Sequence, residues 1–291
     1  MSELTAGAVE RMHYSELVAL IGERNRPSGG VRTVHSVAVH SFLTGTSRVL
    51  EIGSNTGFTS VNLTLLCGSQ VVGIDVNGSS IVEAKRYAAE QGVDDRVTFI
   101  QADATALPLD NGSFDLVWAS NVTSFVEDKK AAISEYLRVL TKNGYLAVVP
   151  IYYVTPPPAT LVDRVAEAIN ARLRTWTRGE WIGLFQGVGR REGKGLELVF
   201  DPDYSYLDQA PALDAYCERL LDRPRIRALP SDVRQALARR YRECIALFNE
   251  NLRYCGYSIL LFQKRIVAEE EELFHSSKRY HDSETSSSAA R

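Results

Sequence analysis

Between residues 47 and 153, short apolar segments alternate with helical segments, and this alternation limits the folds that the chain can adopt. The apolar segments lie at 47–54, 71–75, 97–103, 114–120 and 145–153. The segments 79–92 and 128–144 have the spacing of amphipathic helices, and each ends in a glycine. Near-continuous apolar strands that alternate with helices predict a parallel sheet buried on both faces. We therefore expect an α/β fold with a doubly wound, mostly parallel sheet and a helical cap or insertion.

The alternation stops after Tyr153, where three prolines at 156–158 interrupt the strand. Apolar residues then recur at helical spacing from Leu161 to Leu173, and the segment 256–265 again resembles a strand. The predicted organisation is an N-terminal helical cap or lid (1–46), a ligand-binding core (47–153), a substrate cap or insertion (154–230), a C-terminal helix and strand that complete the core (231–267) and a disordered tail (268–291).

Composition and charge argue against several classes of protein. The chain has 291 residues and a formal net charge of −3, which gives no general attraction to nucleic acid. The four cysteines form neither a CxxC pair nor a cluster with histidine, so we expect no metal site and a reducing cytoplasm. No apolar run reaches the ~20 residues of a membrane span, and we expect no membrane partner. The sequence leaves homo-oligomer formation open.

The segment VLEIGSNTGFTS, at 49–60, joins the first predicted strand to a predicted helix through Gly53 and Gly57. In open α/β sheets, ligands bind at this end of the strands, so the type of loop indicates the type of ligand. A triphosphate requires GxxxxGK[ST], and no lysine is present; a dinucleotide requires GxGxxG, and the glycine spacing does not match. Glu51 would also repel a pyrophosphate. A ligand with a positive group is favoured instead.

Three carboxylates end three successive predicted strands, namely Glu51, Asp75 and Asp103. Each one alone could be a simple strand-end cap. Together, Glu51 suits a cationic group, Asp75 can accept hydrogen bonds from both hydroxyls of a ribose, and Asp103 can accept from the exocyclic amine of adenine. S-adenosylmethionine carries an ammonium group, a ribose and an adenine, and it has no phosphate. We therefore expect it to be the cofactor.

These segments resemble the class I S-adenosylmethionine-dependent methyltransferases, over about residues 47–150. The resemblance rests on ExGxxTG in VLEIGSNTG, on the strand VVGID and on QADATALPLDNGSFDLV, which stand in the family's order. It implies a Rossmann-like core and a cofactor site made of Glu51, Gly53, Ser54, Asn55, Gly57, Asp75, Val76, Asp103, Ala104, Ser120 and Asn121.

The resemblance also implies a role for each of these residues. Glu51 and the backbone from Gly53 to Gly57 would hold the methionine end of the cofactor, and Asp75 would bind the ribose. Val76 would pack on the adenine, the Asp103 carboxylate and the Ala104 amide would bind its edge, and Ser120 and Asn121 would line the methionine side. Asn55 replaces a glycine that is usual in the family, and we expect the loop to persist because asparagine tolerates the left-handed conformation.

The candidate catalytic residues are His35, His40, Tyr152 and Glu180. The two histidines lie on a predicted helix before the first strand, where a general base could stand, although a helical histidine is more often a surface residue. Tyr152 and Tyr153 point to opposite faces of their strand, so at most one of them faces the substrate. Glu180 lies among Trp176, Trp181 and Phe185, which form either a substrate pocket or simply the packing of the cap.

These observations predict transfer of a methyl group from S-adenosylmethionine to an oxygen, nitrogen or carbon atom of a small molecule, in specialised metabolism. A large cap favours a small-molecule substrate, and no basic stripe interleaved with aromatics suggests nucleic acid. Two alternatives stay open. The chain could use the cofactor without moving its methyl group, as a cyclase or decarboxylase would, or it could be a non-catalytic cofactor-binding scaffold.

Overall fold

A computed structural model describes residues 4–206 and 210–265. The strands are β1 (Arg48–Ile52), β2 (Gln70–Asp75), β3 (Val97–Gln101), β4 (Phe114–Ala119), β5 (Leu140–Val148), β6 (Ile151–Tyr153), β7 (Gly195–Phe200), β8 (Asp203–Ser205), β9 (Cys255–Ser258) and β10 (Leu260–Arg265). The helices are α1 (Ala6–Glu10), α2 (Tyr14–Ile21), α3 (Val31–His40), α4 (Phe58–Cys67), α5 (Gly78–Glu90), α6 (Lys129–Val139), α7 (Ala159–Ile169), α8 (Arg178–Arg191), α9 (Ala210–Leu221), α10 (Pro224–Arg227) and α11 (Ser231–Leu252). The tail at 268–291, for which the sequence predicts disorder, lies outside the described residues.

The main sheet has seven strands in the order β3-β2-β1-β4-β5-β10-β7. Strands β1 to β5 are parallel to one another, and β10 is antiparallel to both β5 and β7. The predicted doubly wound, mostly parallel sheet is therefore confirmed. The strand order reverses between β1 and β4, and such a reversal opens a crevice at the carboxyl ends of the strands.

Helices cover both faces of this sheet. On one face, α3, α4 and α5 pack against apolar residues such as Trp118 and Leu261. On the other face, α6 and α8 pack around Tyr136 and Phe262. Helix α5 shows how the sequence produces this arrangement: the Asn77 side chain accepts hydrogen bonds from two backbone N–H groups of its first turn, and apolar residues at helical spacing face the sheet.

The structure differs from the predicted boundaries in three places. Helix α8 and strand β7 come from the segment 154–230, which was predicted to be a cap, yet they belong to the core because β7 pairs with β10 and α8 packs on the sheet. The predicted strand 145–153 is divided into β5 and β6, since Pro150 has no N–H to continue the ladder. The predicted strand 256–265 is likewise divided, and β9 pairs with β6 and β8 in a second, three-stranded sheet.

The remaining helices form one cap with its own apolar core. Helices α1, α2, α7, α9, α10 and α11 contribute to a buried cluster that includes Leu17, Ile21, Leu161, Val165 and Leu237. The N-terminal segment and the inserted segment therefore pack together instead of forming two separate lids. No helix in the described ranges is both long enough and apolar enough to cross a membrane.

Candidate functional site

A cavity of about 1450 Å³ opens at the carboxyl ends of β1, β2 and β4 and continues beneath the cap. We name its two parts by the elements that line them. The sheet half is formed by residues 51–55, 75–78 and 120–122, at the ends of these strands. The cap half is formed by residues of α2 and the turn before it, α7, the start of α8 and the end of α11. Because ordinary ligand pockets measure ~300–1,000 Å³, this cavity has room for two molecules.

Glu51 lies at the base of the sheet half and is 4% exposed. Its Oε2 atom accepts hydrogen bonds from the backbone N–H of Ser60 at 2.9 Å and from the Ser60 hydroxyl at 2.5 Å. Burial raises the pKa of Glu51 to about 7, although the bonds from Ser60 act in the opposite direction. A cationic ligand at this position would favour the ionised carboxylate.

The loop after β1 turns sharply around the same space. Gly53 and Gly57 have φ values of +69° and +83°, and Asn55 has φ +44°, so the asparagine adopts the left-handed conformation that was expected. A Cβ atom on Gly53 would lie 2.5 Å from Cγ2 of Val122, across the sheet half. The backbone at Gly53 therefore lines the cavity directly, because this position has no room for a side chain. Ser54 is buried beside it, whereas Gly57 packs against Phe99, away from the cavity lining.

Asp75 ends β2 and faces the sheet half. Its Oδ2 atom accepts from the Asn55 backbone N–H at 2.9 Å, and its Oδ1 atom accepts from the Asn77 backbone N–H at 2.8 Å. Burial raises the pKa of this carboxyl, and the backbone bonds oppose that rise. A carboxylate oxygen can accept two hydrogen bonds, so the Asp75 carboxylate can also accept a bond from a ligand hydroxyl.

At its edge, the sheet half has an apolar residue, Val76, beside a third carboxylate, that of Asp103. Val76 is 66% exposed, and it separates the main cavity from a shallow depression of about 360 Å³ that also contacts Asp103. Asp103 is exposed, and its pKa is lowered by hydrogen bonds from the Thr105 backbone N–H and hydroxyl at 2.8 and 2.7 Å. Ala104 is buried behind it. A flat heterocycle that carries an amine fits this combination.

Opposite Glu51, the end of β4 closes the sheet half. Ser120 and Asn121 both line the cavity. Asn121 has φ +51°, and its Oδ1 atom accepts a hydrogen bond from the Ser124 hydroxyl at 2.9 Å. The turn that carries Val122 is thereby held in contact with the loop at Gly53, and both residues line the cavity.

The structure places three candidate catalytic residues outside this cavity. His35 and His40 are exposed on α3, where the His40 ring stacks on Phe200 at a centroid distance of 3.6 Å. Tyr152 is buried, and its hydroxyl contacts Asp203 and the Ser258 hydroxyl, the latter at 2.9 Å. Its neighbour Tyr153 lines the cavity. Successive side chains of a strand point to opposite faces, so only one of the two tyrosines can do so.

Glu180 is also absent from the cavity lining, because it caps helix α8. Its Oε2 atom accepts from the backbone N–H and the hydroxyl of Thr177 at 2.8 and 3.0 Å, and Arg174 pairs with the same carboxylate. These bonds lower the pKa of Glu180 and leave it poorly suited to accept a proton. The sequence TRGE at 177–180 carries the capping-box pattern that would have indicated this role.

The cavity is also lined by His13 and Asn251, which the sequence did not single out. His13 precedes α2, and its backbone N–H donates to Oε2 of Glu16 at 2.9 Å. Tyr153 donates its hydroxyl to Oδ1 of Asn251 at 3.0 Å, at the junction with the cap half. No local pattern could have identified His13 or Asn251, because only the packing of the cap brings positions 13 and 251 to one cavity.

A buried carboxylate joins the cap to the loop after β1. Glu23 is 5% exposed and accepts hydrogen bonds from the hydroxyls of Tyr216 at 2.6 Å and Tyr241 at 2.8 Å. The backbone carbonyl of Glu23 accepts from the Thr56 hydroxyl at 2.6 Å. Burial and the nearby carboxylate raise the pKa of both tyrosines, so they remain donors near neutral pH. Glu23 thereby connects the loop after β1 to helices α9 and α11.

Comparison with known proteins agrees with this geometry. A family model described as a methyltransferase domain matches residues 50–148. An uncharacterized protein of Haemophilus influenzae is 30% identical over 186 residues, which are 63% of this chain and 74% of that protein. The 27-O-demethylrifamycin SV methyltransferase of Amycolatopsis mediterranei is 34% identical over 41% of this chain, and the match spans 45% of that enzyme.

Solved structures show the same fold. The crystal structure of MccD protein superposes with a TM-score of 0.66 and 22% identity, over 83% of this chain and 100% of that one. The [4+2]-cyclase SpnF superposes with a TM-score of 0.65 and 21% identity, over 91% of this chain and 98% of the cyclase. The fold and the matched family model lead to one conclusion: residues 50–148 form an S-adenosylmethionine-dependent methyltransferase domain with the class I fold.

Proposed function

We propose that the protein transfers a methyl group from S-adenosylmethionine to an oxygen, nitrogen or carbon atom of a small molecule. The observation that carries this proposal is the continuity of the cavity, whose sheet half has the groups that suit the cofactor and whose cap half has room for an acceptor. The name of the Amycolatopsis relative, a methyltransferase for 27-O-demethylrifamycin SV, supports a small-molecule acceptor and a role in specialised metabolism.

The residues of the sheet half suit the cofactor. Glu51 would bind the ammonium group, which offsets the cost of an ionised carboxylate in a buried position. The Asp75 carboxylate would accept a hydrogen bond from a ribose hydroxyl in addition to its bonds from the backbone. Val76 and Asp103 would hold the adenine between an apolar surface and an acceptor. The backbone from Gly53 to Asn55, with Ser120 and Asn121, would surround the methionine chain.

When bound, the cofactor supplies a methyl group on a sulfonium, which is already a good leaving group. The protein therefore has to align the acceptor with that methyl group and keep water out. Gly53 and Val122, which contact each other on the cavity lining, would bound the space in which the acceptor meets that methyl group. Tyr153 and Asn251 stand at the cap side of this junction, where their hydrogen bond can orient an acceptor.

Mass spectrometry with a methyl-deuterated cofactor tests the proposal directly. The full chain is incubated with labelled S-adenosylmethionine and a small-molecule extract of the source cells. We expect a product heavier by one labelled methyl group, and its fragments would identify the acceptor atom. If calorimetry shows cofactor binding but no extract component acquires the label, an enzyme that retains the methyl group becomes the better explanation. If the cofactor does not bind, the scaffold alternative is favoured.

The fold by itself does not decide between methyl transfer and other reactions. SpnF has this fold and is named as a [4+2]-cyclase. The labelling experiment separates these alternatives, because a cyclase or a decarboxylase would leave the labelled methyl group on the cofactor.

Replacing Asp75 with alanine should weaken cofactor binding by about 1–2 kcal/mol, since hydrogen bonds to a charged group are lost. The backbone N–H groups of Asn55 and Asn77 would also lose their acceptor. Isothermal titration calorimetry measures the change, with Asp110→Ala as an exposed control outside the cavity. Equal affinities of Asp75→Ala and the unmodified protein would exclude the proposed ribose contact.

Cofactor affinity should depend on pH through Glu51. Its pKa of about 7 in the free protein means that the carboxyl is protonated below that pH, whereas a bound ammonium group favours the ionised form. Binding should therefore release a proton, and affinity should fall about tenfold for each pH unit below about 7. Calorimetry from about pH 5.5 to about pH 7.5, in buffers with different ionisation enthalpies, measures both effects. The Glu51→Gln variant should lose the pH dependence; a variant that retains it would assign the proton to another group.

A further inference from the structure

We propose that Arg26 binds the carboxylate at the methionine end of the cofactor, and that the protein thereby distinguishes S-adenosylmethionine from forms of this cofactor that lack a carboxylate. This role of Arg26 rests on the proposed function for the identity of the cofactor. It does not depend on turnover, so binding alone tests it. Three features of the cavity support it.

The first feature is the negative charge of the sheet half. Glu51 and Asp75 both line it, and burial and, to a smaller extent, the Asp75 charge raise the pKa of Glu51. The methionine end of the cofactor carries its ammonium group and its carboxylate on the same carbon atom. If Glu51 binds the ammonium group, the ligand carboxylate therefore comes close to two protein carboxylates, which repel it. A cation beside Glu51 would offset this repulsion.

The second feature is the pairing of the cations on the cavity lining. In the described part of the chain, the arginines that line the cavity are Arg26, Arg174 and Arg225. Arg174 pairs with Glu180, and Arg225 pairs with Glu83 at 3.0 Å. Arg26 forms no ion pair with any residue of the ranges 4–206 and 210–265. Its guanidinium is therefore the one among these three that can bind a ligand anion without breaking an existing ion pair.

The third feature is the position of Arg26 beside the loop after β1. Its guanidinium carbon lies 5.3 Å from the centroid of the Phe58 ring, and Phe58 is the first residue of α4, directly after this loop. The backbone N–H of Asn25 donates to the Thr56 hydroxyl at 3.2 Å, and Pro27 is buried and restricts the backbone on the other side of Arg26. The segment that carries Arg26 is thus fixed to the loop that is proposed to surround the methionine chain.

The shape of the guanidinium suits a carboxylate. Its N–H groups form a planar fork that can donate to both carboxylate oxygens, and the contact with the face of Phe58 leaves the edges of the fork free. Arg26 is also exposed, so water and salt weaken its attraction for an anion. We therefore expect the contribution of Arg26 to cofactor affinity to be about tenfold, near the lower limit for a hydrogen bond between charged groups.

Isothermal titration calorimetry at about pH 7 tests the recognition of the carboxylate. The full chain is titrated with S-adenosylmethionine or with decarboxylated S-adenosylmethionine, which retains the adenine, the ribose, the sulfonium and the ammonium group. We expect S-adenosylmethionine to bind at least about tenfold more tightly. Equal affinities would show that the carboxylate adds nothing to binding, which overturns the proposal. Absence of binding by both compounds would contradict the proposed cofactor site itself.

Three variants assign the effect to one side chain. Arg26→Gln should bind S-adenosylmethionine at least about tenfold more weakly and bind the decarboxylated compound unchanged, which also shows that the variant is folded. Arg26→Lys retains the charge without the planar fork, and it should recover part of the lost affinity. Arg32→Gln is the matched control and should bind both compounds as the unmodified protein does, because Arg32 is exposed and does not line the cavity.

The pattern of losses separates this role from others. An equal loss of affinity for both compounds in Arg26→Gln would indicate a merely structural role. An undiminished preference of this variant for S-adenosylmethionine would show that another group binds the carboxylate, and Arg26 would then be available to an anionic acceptor. Each of these two results overturns the proposal. If the preference for the carboxylate depends on Arg26 but no labelled methyl group is transferred, the result counts against methyl transfer alone.

Discussion

Replacing Gly53 with alanine should reduce the affinity for S-adenosylmethionine at least about tenfold and destabilise the fold by about 2–5 kcal/mol. The added Cβ would lie 2.5 Å from Cγ2 and 2.8 Å from Cβ of Val122, both closer than carbon atoms can approach. The φ value of +69° adds the strain of a left-handed conformation. The loop can relieve the clash only by moving away from Val122, and this movement displaces the backbone that is proposed to hold the methionine chain.

Gly92 provides a control that separates the effect of backbone strain from the effect of the steric clash. Gly92 has φ +67°, but a Cβ there would meet no atom within 4 Å. Gly92→Ala should therefore cost about 1–2 kcal/mol of stability and leave cofactor affinity unchanged. Calorimetry and thermal unfolding of both variants give the comparison. If Gly53→Ala binds the cofactor as tightly as Gly92→Ala does, the backbone at Gly53 does not contact the cofactor.

Replacing Glu23 with alanine should lower the free energy of unfolding by about 3–5 kcal/mol. Two tyrosine hydroxyls, of Tyr216 and Tyr241, donate to this buried carboxylate, and each bond to a charged acceptor contributes about 1.5–3 kcal/mol. The substitution removes both bonds to the carboxylate and leaves the two hydroxyls beside a new cavity. Helices α9 and α11 would lose their connection to the segment before α3.

Urea denaturation measures this effect, and two further variants make it interpretable. Glu10→Ala removes an exposed glutamate that pairs with Arg239 on the surface, and it should cost less than about 1 kcal/mol. Tyr241→Phe removes a single bond to Glu23 and should give an intermediate loss. Similar stabilities of Glu23→Ala and Glu10→Ala would contradict the idea that this buried cluster secures the cap.

Much of the core could be predicted because its signals are local. Strands β1 to β4 are near-continuous apolar runs, and a sheet buried on both faces requires such runs wherever the chain crosses it. The placement of β7 could not be predicted in the same way. Its sequence GLELVF suits an edge strand of any sheet, and only pairing with β10 decides that it belongs to this one.

The residues of the candidate site likewise fall into two groups, those whose position the local sequence predicts and those whose position it does not. Glu51, Asp75 and Asp103 end successive strands, so parallel pairing brings them to one edge whatever the rest of the chain does. His35, His40, Tyr152 and Glu180 were chosen for their chemistry, without knowledge of their direction. The side chain of Glu180 was already committed to Thr177, and α3 presents both histidines away from the cavity.

The sequence alone determined the fold class, the cofactor and the half of the cavity that suits it, because strand ends and glycine turns act over a few residues. Only the tertiary structure decided which groups line the rest of the cavity. His13, Tyr153 and Asn251 come from three distant parts of the chain, and they share one cavity because the apolar faces of α2, α7 and α11 pack together above the sheet. Such packing depends on the shapes of all the helices at once, and no single segment encodes it.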